Sequence, residues 1–195
     1  LSESYIQLPP DGTGKKIRSI YRSDLDVYEE IQLCKNIENV NPIYVVAVSA
    51  SSVAASKHHL TLWNGSTNRV RVISIIVAMH NTATVTGYIM QFLVYRASSV
   101  SGGTALTIDR LDPDDPASPS NITASTGATV TVTGAPLAIF TLNPEETGGQ
   151  NWIYFVPPKP IIVKPSTGLT IQQYATAGVG LFNAVIYFSV EGIKP

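Results

Sequence analysis

Four carboxylates crowd one short stretch. Asp109, Asp112, Asp114 and Asp115 all lie between Asp109 and Ser120, a run that also holds Pro113, Pro116 and Pro119. Hard oxygen donors at this density suit Ca²⁺. The spacing is not that of an EF-hand, because no glycine and no bidentate Glu follow at the required offsets. Aspartate also favours turns, where it bonds to its own backbone. Three prolines exclude regular structure. The stretch reads first as a stiff, exposed loop. Asp112, Asp114 and Asp115 are its calcium candidates, and no metal is assigned.

The other reactive groups are sparse. His58-His59 precedes a strand pattern and His80 ends one. Adjacent histidines on a strand point to opposite faces, so regular geometry does not bring both to one metal. Cys34 is the single cysteine. It cannot form an internal disulfide, has no neighbouring base, and reads as a small hydrophobe. No Gly-x-Ser-x-Gly elbow occurs, and no phosphate loop. Glu145-Glu146 and Asp114-Asp115 are paired carboxylates in turn-rich surroundings, which ordinary solvation explains. A glycosidase would need two carboxylates across a cleft. Asn64-Gly65-Ser66 and Asn121-Ile122-Thr123 match the glycosylation sequon, which matters only in a eukaryotic secretory setting. No catalytic residue and no cofactor is expected, and the chain does not read as an enzyme.

What must position these groups is a set of strands. Val70 to Met79 and Tyr88 to Tyr95 are rich in β-branched and aromatic residues on both faces at once. An antiparallel sheet with one wet face alternates apolar with polar. Here the alternation fails, so a second sheet, a folded-back arm or another subunit must cover the second face. Strand patterns run over Ile43–Ser49, Leu60–Trp63, Arg69–Met79, Thr84–Tyr95, Thr104–Asp109, Thr129–Thr133, Leu137–Leu142, Trp152–Val156, Ile161–Val163, Leu169–Tyr174 and Leu181–Val190. Gly, Pro, Asn, Ser and Thr separate them. Many short strands at such spacing predict an all-β antiparallel sandwich, of jelly-roll type, over residues 41–195.

Residues 1–40 read as an extended N-terminal arm. Leu8-Pro9-Pro10-Asp11-Gly12-Thr13-Gly14 is turn-rich. Lys15 to Arg22 and Leu25 to Leu33 follow as strands. The arm is expected to lie outside the sandwich core and to contact a neighbouring subunit. Leu1-Ser2-Glu3 has neither the basic start nor the apolar core of a signal peptide.

Composition narrows the partners. Charged residues make up 14% of the 195-residue chain, against about a quarter in typical domains. The net charge is −1 and no Lys/Arg block stands out, so nucleic acid is not an expected partner. Lys15-Lys16 with Arg18 and Arg22 is the densest basic cluster and reads as a solvated strand edge. No stretch approaches the roughly 18 unbroken apolar residues of a membrane helix, and no membrane is expected. The aromatics sit mostly within strand patterns, their usual core or cross-strand place, and a sugar platform built from a few of them is the rarer use.

Three segments carry a family resemblance. Pro10 to Arg18 resembles an opening found in structural proteins of tailed bacteriophages. Leu60 to Val72 resembles a strand–turn–strand unit of the same proteins. Pro160 to Ile171 resembles the late unit before their last strand, although Ser166-Thr167 stands where that family often carries Gly-Glu. Together they cover about a sixth of the chain. The resemblance implies a jelly-roll virion protein, of capsid decoration (cement) or minor capsid type. It implies a homo-oligomer with the major capsid protein or other virion proteins as partners, and it brings no catalytic residues. The alternatives are a tail or fibre head domain that binds the host surface, and a carbohydrate-binding or adhesive β-sandwich module.

Overall fold

The computed structural model describes residues 3–7, 16–22, 27–30, 41–80, 90–142, 152–174, 178 and 180–193. The chain divides into two compact units, Leu1–Val40 and Asn41–Pro195. No helix occurs among the described residues.

In the first unit β1 (Glu3–Gln7), β2 (Lys16–Arg22) and β3 (Val27–Glu30) form an antiparallel sheet in that order. Glu3 faces Ile20 and Gln7 faces Lys16. Tyr21 faces Tyr28. Strand β1 is an addition to the sequence expectation. Lys16, Arg18 and Arg22 lie along β2. Lys15, Cys34 and the Leu8–Gly14 turn lie outside the described residues.

The second unit carries β4 (Ile43–Ser52), β5 (His58–Asn64), β6 (Val70–His80), β7 (Met90–Ser101), β8 (Thr104–Leu106), β9 (Ile108–Arg110), β10 (Ile122–Thr126), β11 (Thr129–Leu142), β12 (Trp152–Phe155), β13 (Ile161–Val163), β14 (Thr167–Gln173) and β15 (Leu181–Val190). They make two antiparallel six-stranded sheets. The order in one, here the β5 sheet, is β11-β7-β14-β5-β10-β8. In the other, the β6 sheet, it is β12-β6-β15-β4-β9, with β13 also paired to β6.

Alternation explains the core. Val70, Val72, Ile75, Val77 and Met79 of β6 are buried, as are Phe182, Ala184, Ile186, Phe188 and Val190 of β15. Leu60, Leu62, Phe92, Val94, Leu169 and Ile171 supply the β5-sheet half of the same cluster. Phe92 and Phe182 stack across the sandwich at 4.1 Å between centroids. At another edge Phe140 of β11 meets Phe155 of β12 edge-on at 5.5 Å.

Several expectations change. The predicted strand Thr104–Asp109 breaks at Thr107, because its two halves join different sheets. β8 pairs with β10 and β9 pairs with β4. Asp109 is therefore a strand residue opposite Val45, and the loop starts later, at Leu111. The two patterns Thr129–Thr133 and Leu137–Leu142 are one strand, interrupted by an irregularity between Thr133 and Ala138 where Gly134 has φ +74°. Strand β10 is an addition to the sequence strand patterns.

Candidate functional site

The outward face of the β6 sheet forms an apolar groove of about 440 Å³ lined by Ile43, Ile73, Ser74, Ile76, Leu111, Trp152, Tyr154 and Tyr187. Strand alternation sends Trp152 and Tyr154 outward while Ile153 and Phe155 pack on the core. A bulge widens the β6 contribution. Tyr187 faces Ser74 and Phe188 faces Val72, so Ile73 has no opposite residue, and both Ile73 and Ser74 line the groove. Leu111 is placed there by its amide, which donates to the carbonyl of Ile43 at 2.8 Å.

Exposure here departs from the core role expected of strand aromatics. Trp152 is 50% exposed, Tyr154 56% and Leu111 57%. None of the lining residues is a carboxylate, imidazole or cation. The polar side-chain atoms of the lining are the hydroxyls of Ser74 and the two tyrosines and the indole N–H of Trp152. Such a surface suits apolar or aromatic groups. Arg71, two residues before Ile73 on the same face of β6, makes an exposed ion pair with Glu191 at 3.8 Å.

The acidic loop is held as a turn. The Asp114 amide donates to Asp112 Oδ1 at 3.0 Å, and the Asp115 amide to the Asp112 carbonyl at 3.1 Å. Arg110 Nη1 donates to the Asp115 carbonyl at 2.6 Å. Buried Tyr44 donates its hydroxyl to the Pro116 carbonyl at 3.1 Å, pinning the loop to β4. Burial, then the negative charge of Asp115, raises the Tyr44 phenol above its ordinary value. Among the described residues no three His, Cys, Asp or Glu side chains converge as a metal site. Glu145 and Glu146 lie outside the described residues.

The histidines separate as strand geometry requires. His58 Nδ1 meets Thr170 Oγ1 at 3.0 Å on one face. His59 points into the sandwich, 4.7 Å from the Phe182 ring and 5.6 Å from Phe92. A register shift between Ile171 and Gln172 turns both His59 and Leu60 inward. His80 is exposed, and its Nδ1 accepts from Asn183 Nδ2 at 2.9 Å.

One arrangement escaped the sequence reading. Ser51 Oγ lies 2.9 Å from His59 Nδ1, and Gln173 Oε1 lies 3.3 Å from His59 Nε2. The Ala54 amide donates to the same Gln173 oxygen at 2.8 Å, which fixes the orientation of that amide group. An amide oxygen only accepts, so His59 carries its proton on Nε2 and Nδ1 accepts from the Ser51 hydroxyl. The order hydroxyl–imidazole–orienting oxygen is that of an activated nucleophile. Here it is sealed in the core, with His59 fully buried and Ser51 8% exposed, and neither residue lines the groove. Burial holds the His59 pKa down to about 4, and burial also lowers that of His58.

Asn64 of the first sequon is fully buried. Its Nδ2 donates to the carbonyls of Asn68 and Val163, and its Oδ1 accepts from Ser66. It is a turn anchor. Asn121 of the second sequon is exposed and donates to the Gly65 carbonyl at 3.2 Å. Trp63 lines a second hollow of about 240 Å³, where it is the one aromatic among Val100–Gly103, Ala105 and Thr123–Ser125. No family model, curated protein or solved structure matches the chain.

Proposed function

We propose that this chain is a structural virion protein that works by contact, binding at capsid subunit junctions as a decoration or minor capsid protein. The observation that carries the reading is the apolar outward face of the β6 sheet. Trp152, Tyr154 and Leu111 are each at least half exposed on this face. Grouped exposed apolar residues suit protein contact, and aromatic residues are the usual anchors of such contacts. The occupant that fits is an apolar surface of a neighbouring subunit. A sugar would need polar partners around its ring, and the groove supplies few, three hydroxyls and one indole N–H.

The strand order supports the finer reading of a jelly roll. β4-β15-β6-β12 in one sheet and β5-β14-β7-β11 in the other is the eight-strand order that two nested Greek keys produce. On this reading β8, β9 and β10 are an insertion between β7 and β11 that lengthens both sheets. The sequence resemblance to phage structural proteins points the same way.

Ile76→Lys and Tyr154→Lys test the proposal, because each puts a cation into the groove. Both variants should be folded by circular dichroism and should fail to join particles in an assembly reaction with the other virion proteins. Normal incorporation of both would sink the contact reading. Electron microscopy of particles carrying the wild-type chain should locate it at subunit junctions.

A further inference from the structure

We propose that protonation of His59 opens one end of the sandwich, releasing the connection between β4 and β5 before the fold as a whole is lost. The argument starts from what this imidazole joins. Through Nδ1 it holds Ser51 of β4, in the β6 sheet. Through Nε2 it holds Gln173 at the end of β14, in the β5 sheet. Gln173 in turn holds the Ala54 amide, within the β4–β5 connection, and its own amide donates to the Lys57 carbonyl at 2.8 Å. One neutral ring therefore bridges both sheets and the segment between them.

The site accepts only the neutral form. A second ring proton, on Nδ1, would face a Ser51 hydroxyl that now donates. That hydroxyl must turn and lose its own acceptor. Gln173 Oε1 already serves two donors. The ring is packed against Phe92 of β7 and Phe182 of β15. The charged or titratable groups that act on it are Lys57 and His58, and both oppose a positive charge. Among the described residues no carboxylate faces the ring from β4, β7, β14 or β15. His58, on the opposite face at the start of β5, is also held neutral by burial, so acid strains the same strand from both sides.

The sign follows from the direction of the shift. The folded-state pKa, about 4, lies below the unfolded value near 6.5. Stability from the neutral ring is complete above pH 6.5 and is lost as pH falls towards 4. Carboxylates titrate mostly below pH 5, so pH 7.5 to 5.0 isolates the imidazoles. A group with this shift raises the unfolding equilibrium constant about 30-fold between those pH values. The inference holds whether or not the chain is a shell protein.

Urea unfolding at pH 7.5 and 5.0, followed by tryptophan fluorescence, measures this for wild type, His59→Gln and His58→Gln. Wild type should show the roughly 30-fold rise. His59→Gln should show a few-fold rise at most, and His58→Gln should keep most of it. Equal pH dependence in wild type and His59→Gln would overturn the proposal. If His59→Gln does not fold, a proton NMR titration of the wild-type imidazoles decides. His59 should remain neutral at pH 5, and a native titration near 6.5 overturns the proposal. Hydrogen exchange, corrected for intrinsic rate, should speed up at pH 5 over residues 50–58 and 170–174 ahead of the centres of β6 and β15. Uniform acceleration would overturn the local opening.

Discussion

The outward faces of the two body sheets solve the same problem differently. On the β5 sheet, Thr61 and Thr170 stand directly opposite each other on neighbouring strands, pointing away from the core residues that flank them. Their hydroxyls are 2.9 Å apart, and Thr170 also meets His58. Gln172 Nε2 donates to the Ser56 carbonyl at 3.1 Å. These polar groups find their partners within the chain. On the β6 sheet the outward positions are Ile73, Ile76, Tyr154, Trp152 and Tyr187, with Ile43 and Leu111 beside them. Polar groups are few there, and much of the face remains in contact with water. A face that is complete in itself gains little from a partner. A half-exposed apolar face gains roughly 25 cal/mol for each Å² it buries. The contrast is why a contact role is proposed for the β6 sheet.

The largest expected effect comes from removing the aromatic anchors. Trp152→Ala with Tyr154→Ala should weaken assembly by about 100-fold or more, since anchors of this kind typically cost 2 kcal/mol or more each on truncation. Sedimentation of the assembled species against the free chain measures it. Gln172→Ala and Gln91→Ala on the other sheet are the controls and should leave assembly within about 3-fold. Equal losses from both sheets would erase the comparison.

A backbone test of the β5 sheet comes next. A Cβ on Gly168 would lie 2.9 Å from the Leu62 carbonyl oxygen, 3.1 Å from the Trp63 ring and 3.3 Å from Ala97 Cβ. The Trp63 ring thus lies close over this position. Gly168→Ala should cost about 1–3 kcal/mol of stability, read as a lower urea midpoint at unchanged slope. Assembly per folded molecule should not change.

Legibility in the sequence follows how local each cause is. Ile161–Val163 and Leu181–Val190 have the same limits in the sequence reading and in the fold, because β-branched runs bounded by Pro or Gly need no distant information. Strand β10, Ile-Thr-Ala-Ser-Thr, follows Pro119 and looks like loop. It is a strand because β5 and β8 flank it, and Leu62 and Leu106, each opposite Ala124, lie far off in the chain. The groove was half legible. The two-faced pattern of β6 showed that an outward face must be apolar. That Trp152 and Tyr154 join it depends on their pairing with Ala78 and Ile76. The Ser51–His59–Gln173 relay was not legible, since its members lie 8 and 114 residues apart and a bulge decides where His59 points.

Thr170→Val sharpens the polar side of the comparison. Valine keeps the shape and removes the hydroxyl, so Thr61 and the His58 ring each lose a partner inside a buried site. A buried polar group left without a partner costs about 1–3 kcal/mol. Removing both hydroxyls, with Thr61→Val added, should recover part of that loss for Thr61 and leave the His58 share. A double-mutant cycle on urea midpoints measures the coupling. Strict additivity would mean that the two threonines act independently, and the face would then be polar without being a network.

The smallest effect should come from the acidic loop. Asp112 shapes it, since its Oδ1 accepts from the Asp114 amide, whereas among the described residues the carboxylates of Asp114 and Asp115 hold no part of the turn. Asp114 is exposed and Asp115 half-buried, and charges so placed contribute about 0–1 kcal/mol. Asp114→Ala with Asp115→Ala should therefore leave both stability and assembly nearly unchanged. A chelator added to assembled particles should likewise do nothing. A bound calcium ion at Asp112, Asp114 and Asp115 would behave otherwise, because a ligand that binds only the native state stabilises it by mass action. If the double variant or the chelator dissociates the particles, the loop and not the β6-sheet face governs the contact. Calorimetric titration with Ca²⁺ on the wild type and the variant then distinguishes a metal clamp from a lost surface charge.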